Sequence, residues 1–225
     1  MSDYITVVAI VEGKTEQDFI NRIVAPYLMR TGIIITPIQV SKPGSKGGDV
    51  KFSRVQRDIE RHLKQRDDTF VTTFLDLYGL KEWPELEGVN AEQNHENMIA
   101  KLYEETDIAL KKIFEAHTVE QRIIPYFAIY EFEALLFSDS KKLANGMGCS
   151  QRKITTIVTS CGEPEKINNS PQTAPSKRLD ELSWSGKFKK TTDGIAIAEN
   201  IGIKQMREKC PQFNEWLSRL ESLAD

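Results

Sequence analysis

The amino-terminal part of the chain alternates apolar runs with a helical pattern. Tyr4–Val11 is a β-branched apolar run, typical of a strand that is buried on both faces. Thr15 can cap a following helix, whose apolar residues recur at helical spacing until Gly32 ends it. Ile33–Val40 predicts the next strand, and Pro37 within it favours an edge position or a bulge. This opening predicts a strand–helix–strand unit.

The next segments continue the alternation. Ser41–Phe52 holds three glycines among its lysines and predicts a mobile loop, whereas Ser53–Gln65 repeats apolar residues every four positions as a helix does. Thr69–Asp76 is rich in β-branched and aromatic residues and predicts the third strand. A strand–helix–strand–helix–strand order predicts a parallel sheet with right-handed crossovers.

The pattern becomes more helical toward the carboxyl terminus. Leu77–Asn90 predicts a loop, Ala91 to about His117 a long helix, and Arg122–Ile129 a fourth strand. Glu131–Phe137 opens the next helix, and Ser140–Asp225 shows short helical patterns without a strand signal. We therefore predict an α/β fold: a mostly parallel sheet flanked by helices in residues 1–139, with a helical portion in residues 140–225 packed on it.

Composition indicates a soluble globular protein of the cytoplasm. Hydrophobic residues are 40% and charged residues 28% of the 225 residues, which is ordinary for a folded chain. The apolar run near the amino terminus is far shorter than the ~20 residues that cross a bilayer, and no signal-peptide pattern precedes it. Three cysteines without a CxxC pair and three scattered histidines argue against a disulfide framework and a zinc site. Any metal is then held by carboxylates.

Charge is distributed unevenly along the chain. Residues 41–66 carry eight basic and three acidic side chains, residues 76–107 carry two basic and nine acidic ones, and residues 177–190 carry five basic and two acidic ones. Alternating basic and acidic stretches suit a site that binds a cation beside a polyanion. They suit an ordinary charged surface equally well.

Acidic side chains follow the predicted strands at one edge of the sheet. Glu12 follows the first strand, Asp76 ends the third, and Glu131 and Glu133 follow the fourth, while Glu16 lies one helical turn after Glu12. Ligands of an open parallel sheet gather at the carboxyl ends of its strands. Grouped carboxylates suit Mg²⁺, and two such ions can support a phosphodiester displacement. The sequence predicts a metal site at this edge.

Each of these acids also has a purely structural interpretation. Glu12 and Glu16 can be first-turn acids that favour a helix amino terminus, and Asp76 can be a turn residue. Glu131 and Glu133 can cap the next helix. The basic side chains are either phosphate contacts or solvated surface charges. Those that we predict to bind nucleic acid are Lys14, Lys46, Lys51, Arg54 and Arg178.

Five segments carry a family resemblance. They are VEGKTE (Val11–Glu16), FLDLYGL (Phe74–Leu80), YEFEALLFSD (Tyr130–Asp139), APSKRL (Ala174–Leu179) and CPQFNEWL (Cys210–Leu217). The first resembles the opening motif of TOPRIM domains, in the form that the overcoming-lysogenization-defect (OLD) nucleases carry. Together the five segments resemble a bacterial family known as domain of unknown function 4276.

The resemblance implies a TOPRIM-like, Rossmann-like fold and Mg²⁺- or Mn²⁺-dependent cleavage of DNA or RNA. It implies that Glu12 is a general acid/base or metal ligand, that Glu16 and Asp76 are metal ligands, and that Lys177 stabilises the transition state. Glu131 and Glu133 are implied as a later acidic pair. Genes of this family often lie beside one for an ABC/SMC-like ATPase, which implies such a partner and a role in defence against phage.

Two departures from the family patterns keep other functions open. TOPRIM enzymes usually carry DxD on the third strand, and this chain has Asp76-Leu77-Tyr78; Tyr130 stands where a histidine is expected. The leading hypothesis is a metal-dependent nuclease in which Glu12, Asp76 and Lys177 take part in catalysis. The second is a regulatory or nucleic-acid-binding subunit of an ATPase complex that has lost catalysis, and the third is phosphoryl transfer on a small nucleotide.

Overall fold

A computed structural model describes residues 4–42, 45–46, 49–168 and 173–225, with residues 42, 45 and 46 described by their backbone alone. Its strands are β1 (Ile5–Val11), β2 (Ile33–Gln39), β3 (Ser41–Lys42), β4 (Ser45–Lys46), β5 (Val50–Lys51), β6 (Thr69–Asp76), β7 (Leu80–Lys81), β8 (Ile123–Ile124) and β9 (Phe127–Ala128). Its α-helices are α1 (Lys14–Phe19), α2 (Ala25–Leu28), α3 (Phe52–Gln65), α4 (Leu86–Ala91), α5 (His95–Lys111), α6 (Ala116–Arg122), α7 (Ser140–Met147), α8 (Gln151–Cys161), α9 (Pro175–Leu182), α10 (Ile195–Ile201), α11 (Ile203–Lys209) and α12 (Pro211–Glu221).

Shorter helical segments connect several of these elements. The 3₁₀ segments are Met29–Thr31, Leu77–Gly79, Phe132–Ser138, Pro164–Lys166 and Ser222–Ala224, and the π-helical turns are Ile20–Val24 and Lys190–Gly194. None of the helices in the described part of the chain has the length and apolar character that a membrane-spanning helix needs.

The central sheet is parallel, as the sequence predicts. Its order is β2-β1-β6-β8, and β9 also pairs with β6. Strand β2 lies at the edge of this sheet, which agrees with the edge position that Pro37 favours. The predicted fold class, an α/β fold with a mostly parallel sheet flanked by helices, is thereby confirmed.

Both faces of the sheet are covered because β1 sends alternate residues to opposite sides. Val7, Ala9 and Val11 join one apolar cluster, whereas Ile10 joins another with residues of α3 and α5. The first cluster includes Phe213, Trp216, Leu217 and Leu220 of α12, so the carboxyl-terminal helices pack directly on the sheet.

A hydrogen bond also ties α12 to the sheet. The Trp216 Nε1–H donates to Thr72 Oγ1 at 2.8 Å, and the Trp216 ring stacks on Tyr126 with 4.8 Å between ring centroids. The buried indole therefore satisfies its one donor on strand β6 while its ring fills the core.

The predicted cap of the first helix is wrong, because α1 begins at Lys14 with Gly13 as its N-cap and Thr15 lies inside the helix.

Three further predicted boundaries are also wrong. The fourth strand is two short strands, because Pro125 between β8 and β9 cannot donate to the ladder. The long helix is divided into α4, α5 and α6, and Asn94 caps α5 by accepting from Asn97 N–H at 2.9 Å. The helix predicted over Glu131–Phe137 is a fully buried 3₁₀ segment.

The two predicted loops also contain regular structure. Within Ser41–Phe52, the described residues form β3, β4 and β5, and α3 begins at Phe52. Within Leu77–Asn90 the chain forms a 3₁₀ turn, β7 and the start of α4. Strands β5 and β7 pair with each other in parallel, so the two segments support one another.

Candidate functional site

Two predicted acids lie at the same edge of the sheet because their strands are neighbours. Glu12 follows β1 directly, Asp76 is the last residue of β6, and the two strands run parallel with Val11 opposite Phe74. Asp76 is tied to the next loop, since its Oδ1 accepts from Phe132 N–H at 2.9 Å. This bond brings the segment that carries Glu133 toward the ends of β1 and β6.

Glu16 joins this edge from the first turn of α1. Its side chain is 8% exposed, and its Oε2 accepts from Gly13 N–H at 3.0 Å. The bond satisfies a donor at the amino end of the helix, as the structural interpretation of Glu16 expects. The same side chain is close enough to Glu12 and Asp76 for their charges to interact.

Glu133 is the most buried acid of the group. It is 1% exposed, and Lys190 Nζ contacts its Oε1 at 2.7 Å. Lys190 begins a π-helical turn and keeps its own side chain 43% exposed. The ammonium group of Lys190 thus reaches the acids from the carboxyl-terminal half of the chain and remains accessible to solvent.

In the described part of the chain, two buried carboxylate oxygens have no hydrogen-bond partner. They are Oε2 of Glu12 and Oε2 of Glu133. Glu12 lies against Gly79, where an added Cβ would come within 2.1 Å of Glu12 Oε2. Buried oxygens of native proteins are normally satisfied, so an unsatisfied one calls for a ligand, a water or an ion. Carboxylate oxygens are the donors that Mg²⁺ and Mn²⁺ prefer, and these two fit such an ion chemically.

Burial and mutual repulsion raise the pKa values of the acids at the sheet edge. The pKa of Asp76 is raised well above its usual range by burial and then by Glu16, Glu133 and Glu12. Burial likewise raises the pKa values of Glu12, Glu16 and Glu133, although Lys190 opposes the shift in each case. The pKa of Lys190 is raised because the attraction of Glu133, Glu131 and Asp76 outweighs its own partial burial. These four acids and Lys190 are one electrostatic unit, here called the carboxylate cluster.

Glu131 has a different role from Glu133. Its two oxygens accept from Ser176 N–H at 2.8 Å and Ser176 Oγ–H at 2.9 Å, which caps the first turn of α9. The capping interpretation of Glu131 therefore describes its contacts, although the helix is not the one that follows it in sequence. Lys177, the next residue of α9, is exposed.

Four of the five predicted nucleic-acid contacts have described side chains, and three of these four pair with acids. Lys14 pairs with Asp18 at 2.6 Å, Arg54 pairs with Asp49 at 2.9 Å, and Lys51 pairs with Glu82. Arg178 Nε–H donates to the Thr173 carbonyl at 3.1 Å. The side chain of Lys46 lies outside the described part. Lys14 is the most exposed of these cations, so its pair is weak and remains open to other anions, whereas Arg54 and Asp49 are both mostly buried.

Two tyrosines connect the loops that carry the acids. Tyr78 N–H donates to the Tyr130 carbonyl at 3.2 Å, and the two rings lie 5.5 Å apart between centroids. Tyr130 has a φ of 67°, a left-handed conformation that costs energy for a bulky residue. The strain lies next to Glu131 and turns the chain from β9 into the buried 3₁₀ segment.

The acids are near one another without forming a ready metal site. Across residues 4–42, 45–46, 49–168 and 173–225, no three acidic, histidine or cysteine side chains are grouped closely enough to hold a metal ion as they stand. A cavity of about 630 Å³ lies elsewhere, lined among others by Tyr103, Glu165 and Trp216. The carboxylate cluster is therefore a loose group at the sheet edge, separate from that cavity.

Sequence reasoning missed Lys190 and Gly79. Lys190 lies in the basic stretch 177–190, but its contact with Glu133 joins residues far apart in sequence and only the packing of α10 and its π-turn reveals it. Gly79 lies within the segment Phe74–Leu80 that carries the resemblance, and its close approach to Glu12 gives that glycine a physical reason.

Comparison with known proteins identifies a family but no characterised relative. No curated protein and no solved structure matches the chain. Residues 11–221 match the family described as a domain of unknown function, DUF4276. The match covers the carboxylate cluster and all twelve α-helices of the described part of the chain. The chain belongs to the DUF4276 family.

Proposed function

We propose that this protein is a Mg²⁺- or Mn²⁺-dependent phosphodiesterase that cleaves nucleic acid at the carboxylate cluster. The observation that carries the proposal is the pair of buried, unpartnered oxygens on Glu12 and Glu133. Such oxygens are costly unless something binds them, and they lie where ligands of parallel sheets gather. The resemblance to TOPRIM domains of OLD-type nucleases supports the same chemistry. It is also the basis on which we propose that the fold is TOPRIM-like.

The residues suited to hold the cation are Glu12, Asp76 and Glu133, with Glu16 beside them. A bound divalent cation supplies Lewis acidity toward the phosphate and lowers the pKa of water. Because no three ligands stand ready in the described part of the chain, the side chains must draw together when the ion binds. Binding would relieve the mutual repulsion that raises their pKa values.

Glu12 and Lys190 have the properties that the remaining chemistry needs. The pKa of Glu12 is raised chiefly by burial, so this carboxylate accepts a proton more readily than an ordinary glutamate does. Lys190 keeps its positive charge because the surrounding acids raise its pKa. With a half-exposed ammonium group beside the cluster, Lys190 is better placed than the exposed Lys177 to stabilise charge that develops on a phosphate.

The test is cleavage of supercoiled plasmid and of single-stranded RNA with Mn²⁺, by the wild type, Glu12→Gln and Glu120→Gln. We expect Glu12→Gln to lose activity by on the order of 10³-fold, the size of a lost general acid–base or ligand group. Glu120→Gln makes the same change at an exposed side chain that is paired to Lys111, so it serves as the matched control and keeps its rate. Equal cleavage by Glu12→Gln and the wild type would refute the proposal.

A second candidate function is a regulatory, nucleic-acid-binding subunit without turnover. Two contacts favour it: Lys190 already neutralises part of Glu133, and Glu131 is engaged with Ser176. The absence of a second acid after Asp76 points the same way. Tight binding of nucleic acid without cleavage, under Mg²⁺ and Mn²⁺ and with ATPase partner and ATP, would favour this function over the first.

The resemblance supplies the biological setting of either function. We propose an ABC/SMC-like ATPase as the partner, the cytoplasm as the location and defence against phage as the role. Co-purification of the two proteins from cells that express both tests the partnership.

A further inference from the structure

The segment that leads into Lys190 carries an exposed tryptophan. Ser183–Lys189, here called the tryptophan loop, connects α9 to the π-turn that begins at Lys190. Trp184 in this loop is 93% exposed, whereas Trp83 and Trp216 are 5% and 2% exposed. Tryptophan is normally one of the most buried residues on average, and its ring carries a large apolar area. An indole held almost entirely in solvent therefore requires an explanation.

The loop does not need this indole for its own structure. Gly186 N–H donates to the Ser183 carbonyl at 3.0 Å, and Ser185 Oγ–H donates to the Lys187 carbonyl at 3.0 Å. Phe188 is 7% exposed and anchors the loop in the core, while its N–H donates to Asp180 Oδ1 at 2.8 Å. Backbone and hydroxyl bonds thus shape the loop, and the ring of Trp184 is left free to contact a ligand.

The tryptophan loop itself carries two lysines and no acidic residue. Lys187 and Lys189 are exposed, and within the described part of the chain neither forms an ion pair. Lys190, which directly follows the loop, contacts Glu133 of the carboxylate cluster. Trp184 and Lys190 are six positions apart, so their Cα atoms are at most about 22 Å from each other.

We propose that the tryptophan loop binds single-stranded nucleic acid, with an unpaired base stacked on Trp184 and phosphates on Lys187 and Lys189. Flat aromatic rings among cations are the means by which proteins hold unpaired bases without sequence preference, and stacking uses a base face that a duplex keeps covered. A protein partner is a poorer match because lysine is depleted in the cores of protein interfaces. The inference rests on the proposed function in one respect only. If the protein cleaves nucleic acid, the single strand bound at Trp184 would continue to the carboxylate cluster and be cleaved there.

The experiment measures the fluorescence anisotropy of dye-labelled oligonucleotides in EDTA, so that binding is followed without cleavage and also in variants that lack Trp184. The probes are a 20-nucleotide oligothymidylate and a duplex of the same length, and the proteins are the wild type, Trp184→Ala, Trp184→Phe and Tyr4→Ala. Because the other two tryptophans are buried, quenching by acrylamide reports on Trp184. Tyr4→Ala removes another exposed aromatic, 55% exposed and remote in sequence, and is the matched control.

We expect the single strand to quench the Trp184 emission and to protect it from acrylamide, and the duplex to do neither. Trp184→Ala should weaken binding by about tenfold, the loss of one base–aromatic stack. Trp184→Phe should recover part of that loss, and Tyr4→Ala should bind as the wild type does. Lys187→Gln and Lys189→Gln should each reduce the dependence of log K on log salt by about 0.7.

Unchanged affinity of Trp184→Ala, equal quenching by duplex and single strand, or no binding at all would overturn the inference. Its failure is distinguishable from failure of the proposed function. If Glu12→Gln still cleaves while Trp184 is quenched, the phosphodiesterase proposal falls and the tryptophan loop stands. If cleavage requires Glu12 while Trp184→Ala binds normally, only the tryptophan loop is refuted.

Discussion

Glu165 and the acids at the sheet edge differ in how their carboxylate oxygens are satisfied. Glu165 is 2% exposed, and both of its oxygens accept backbone N–H groups at the start of α12, from Gln212 at 2.9 Å and Phe213 at 3.0 Å. Glu12 and Glu133, at the sheet edge, each retain a buried oxygen without a partner. Complete satisfaction fits a structural residue, whereas an unsatisfied buried carboxylate oxygen leaves room for a water, an ion or a ligand.

The largest expected difference between Glu165 and the carboxylate cluster is in the stability lost on mutation. Glu165→Ala leaves two N–H groups of a buried helix end without an acceptor, which should lower the free energy of unfolding by about 4 kcal/mol. Urea unfolding at pH 5 measures this loss, and Glu163→Ala, a partly exposed acid of the same segment, should change it by less than about 0.5 kcal/mol. A loss below about 1 kcal/mol for Glu165→Ala would show that the cap is not structural.

The pH dependence of Glu165 is the next largest effect. Burial raises the pKa of Glu165 from 4.5 to about 7, although its two N–H bonds oppose the shift. The folded protein then binds the proton more tightly than the unfolded chain, so this contribution to stability is complete below pH 4.5 and is lost as the pH rises through 7.

Glu165→Gln, which cannot ionise, should therefore gain stability relative to the wild type between pH 5 and 8. The relative gain is on the order of 3 kcal/mol over the full range. Urea unfolding at several pH values measures this gain. The pH-dependent contributions of the carboxylate cluster cancel in the comparison because both proteins carry the same acids. Parallel stability curves for the two proteins would contradict this assignment.

At the carboxylate cluster the expected effect is on activity instead. A methyl group in Gly79→Ala would displace the Glu12 carboxylate, because the added Cβ lies 2.1 Å from Glu12 Oε2. We expect the rate of cleavage to fall by on the order of 10²-fold, as misplaced catalytic groups do, while the melting temperature changes little. Gly32→Ala is the opposite control: its φ of 81° strains alanine in open space, so stability falls and the rate does not.

The smallest effect has the opposite sign from that of Glu165→Ala. Glu12→Gln removes a buried charge whose pKa is raised by burial and by Glu133 and Glu131. Without divalent cations, we expect this variant to be more stable than the wild type at pH 8 by about 1 kcal/mol. Calorimetry in EDTA measures the difference, with the exposed Glu181→Gln as control. Destabilisation by Glu12→Gln would mean that this carboxylate is structural, like Glu165.

The sequence predicts the fold better than it predicts the contacts of the site. The apolar runs Tyr4–Val11 and Thr69–Asp76 identify β1 and β6 because buried strands require such residues throughout. Placing Glu12 and Asp76 at one edge follows from parallel pairing alone. Arg122–Ile129 is divided into two strands because of Pro125. The pattern of apolar residues alone does not reveal this break.

Tertiary contacts explain what the sequence could not predict. Glu131 and Glu133 are two residues apart and equally acidic, yet one caps α9 through Ser176 and the other lies buried against Lys190. Both partners are more than forty residues away, and no local pattern distinguishes them. The same holds for Glu165, whose capping of α12 depends on how Pro164–Lys166 packs on that helix.

The most direct test of the carboxylate cluster is an anomalous difference map from crystals grown with Mn²⁺. We expect a peak among the carboxylates of Glu12, Asp76 and Glu133 in the wild type and in Glu165→Gln, and its loss in Glu12→Gln. A wild-type map without a peak at this sheet edge, or a peak that persists in Glu12→Gln, would contradict the assignment of these acids as a divalent-cation site.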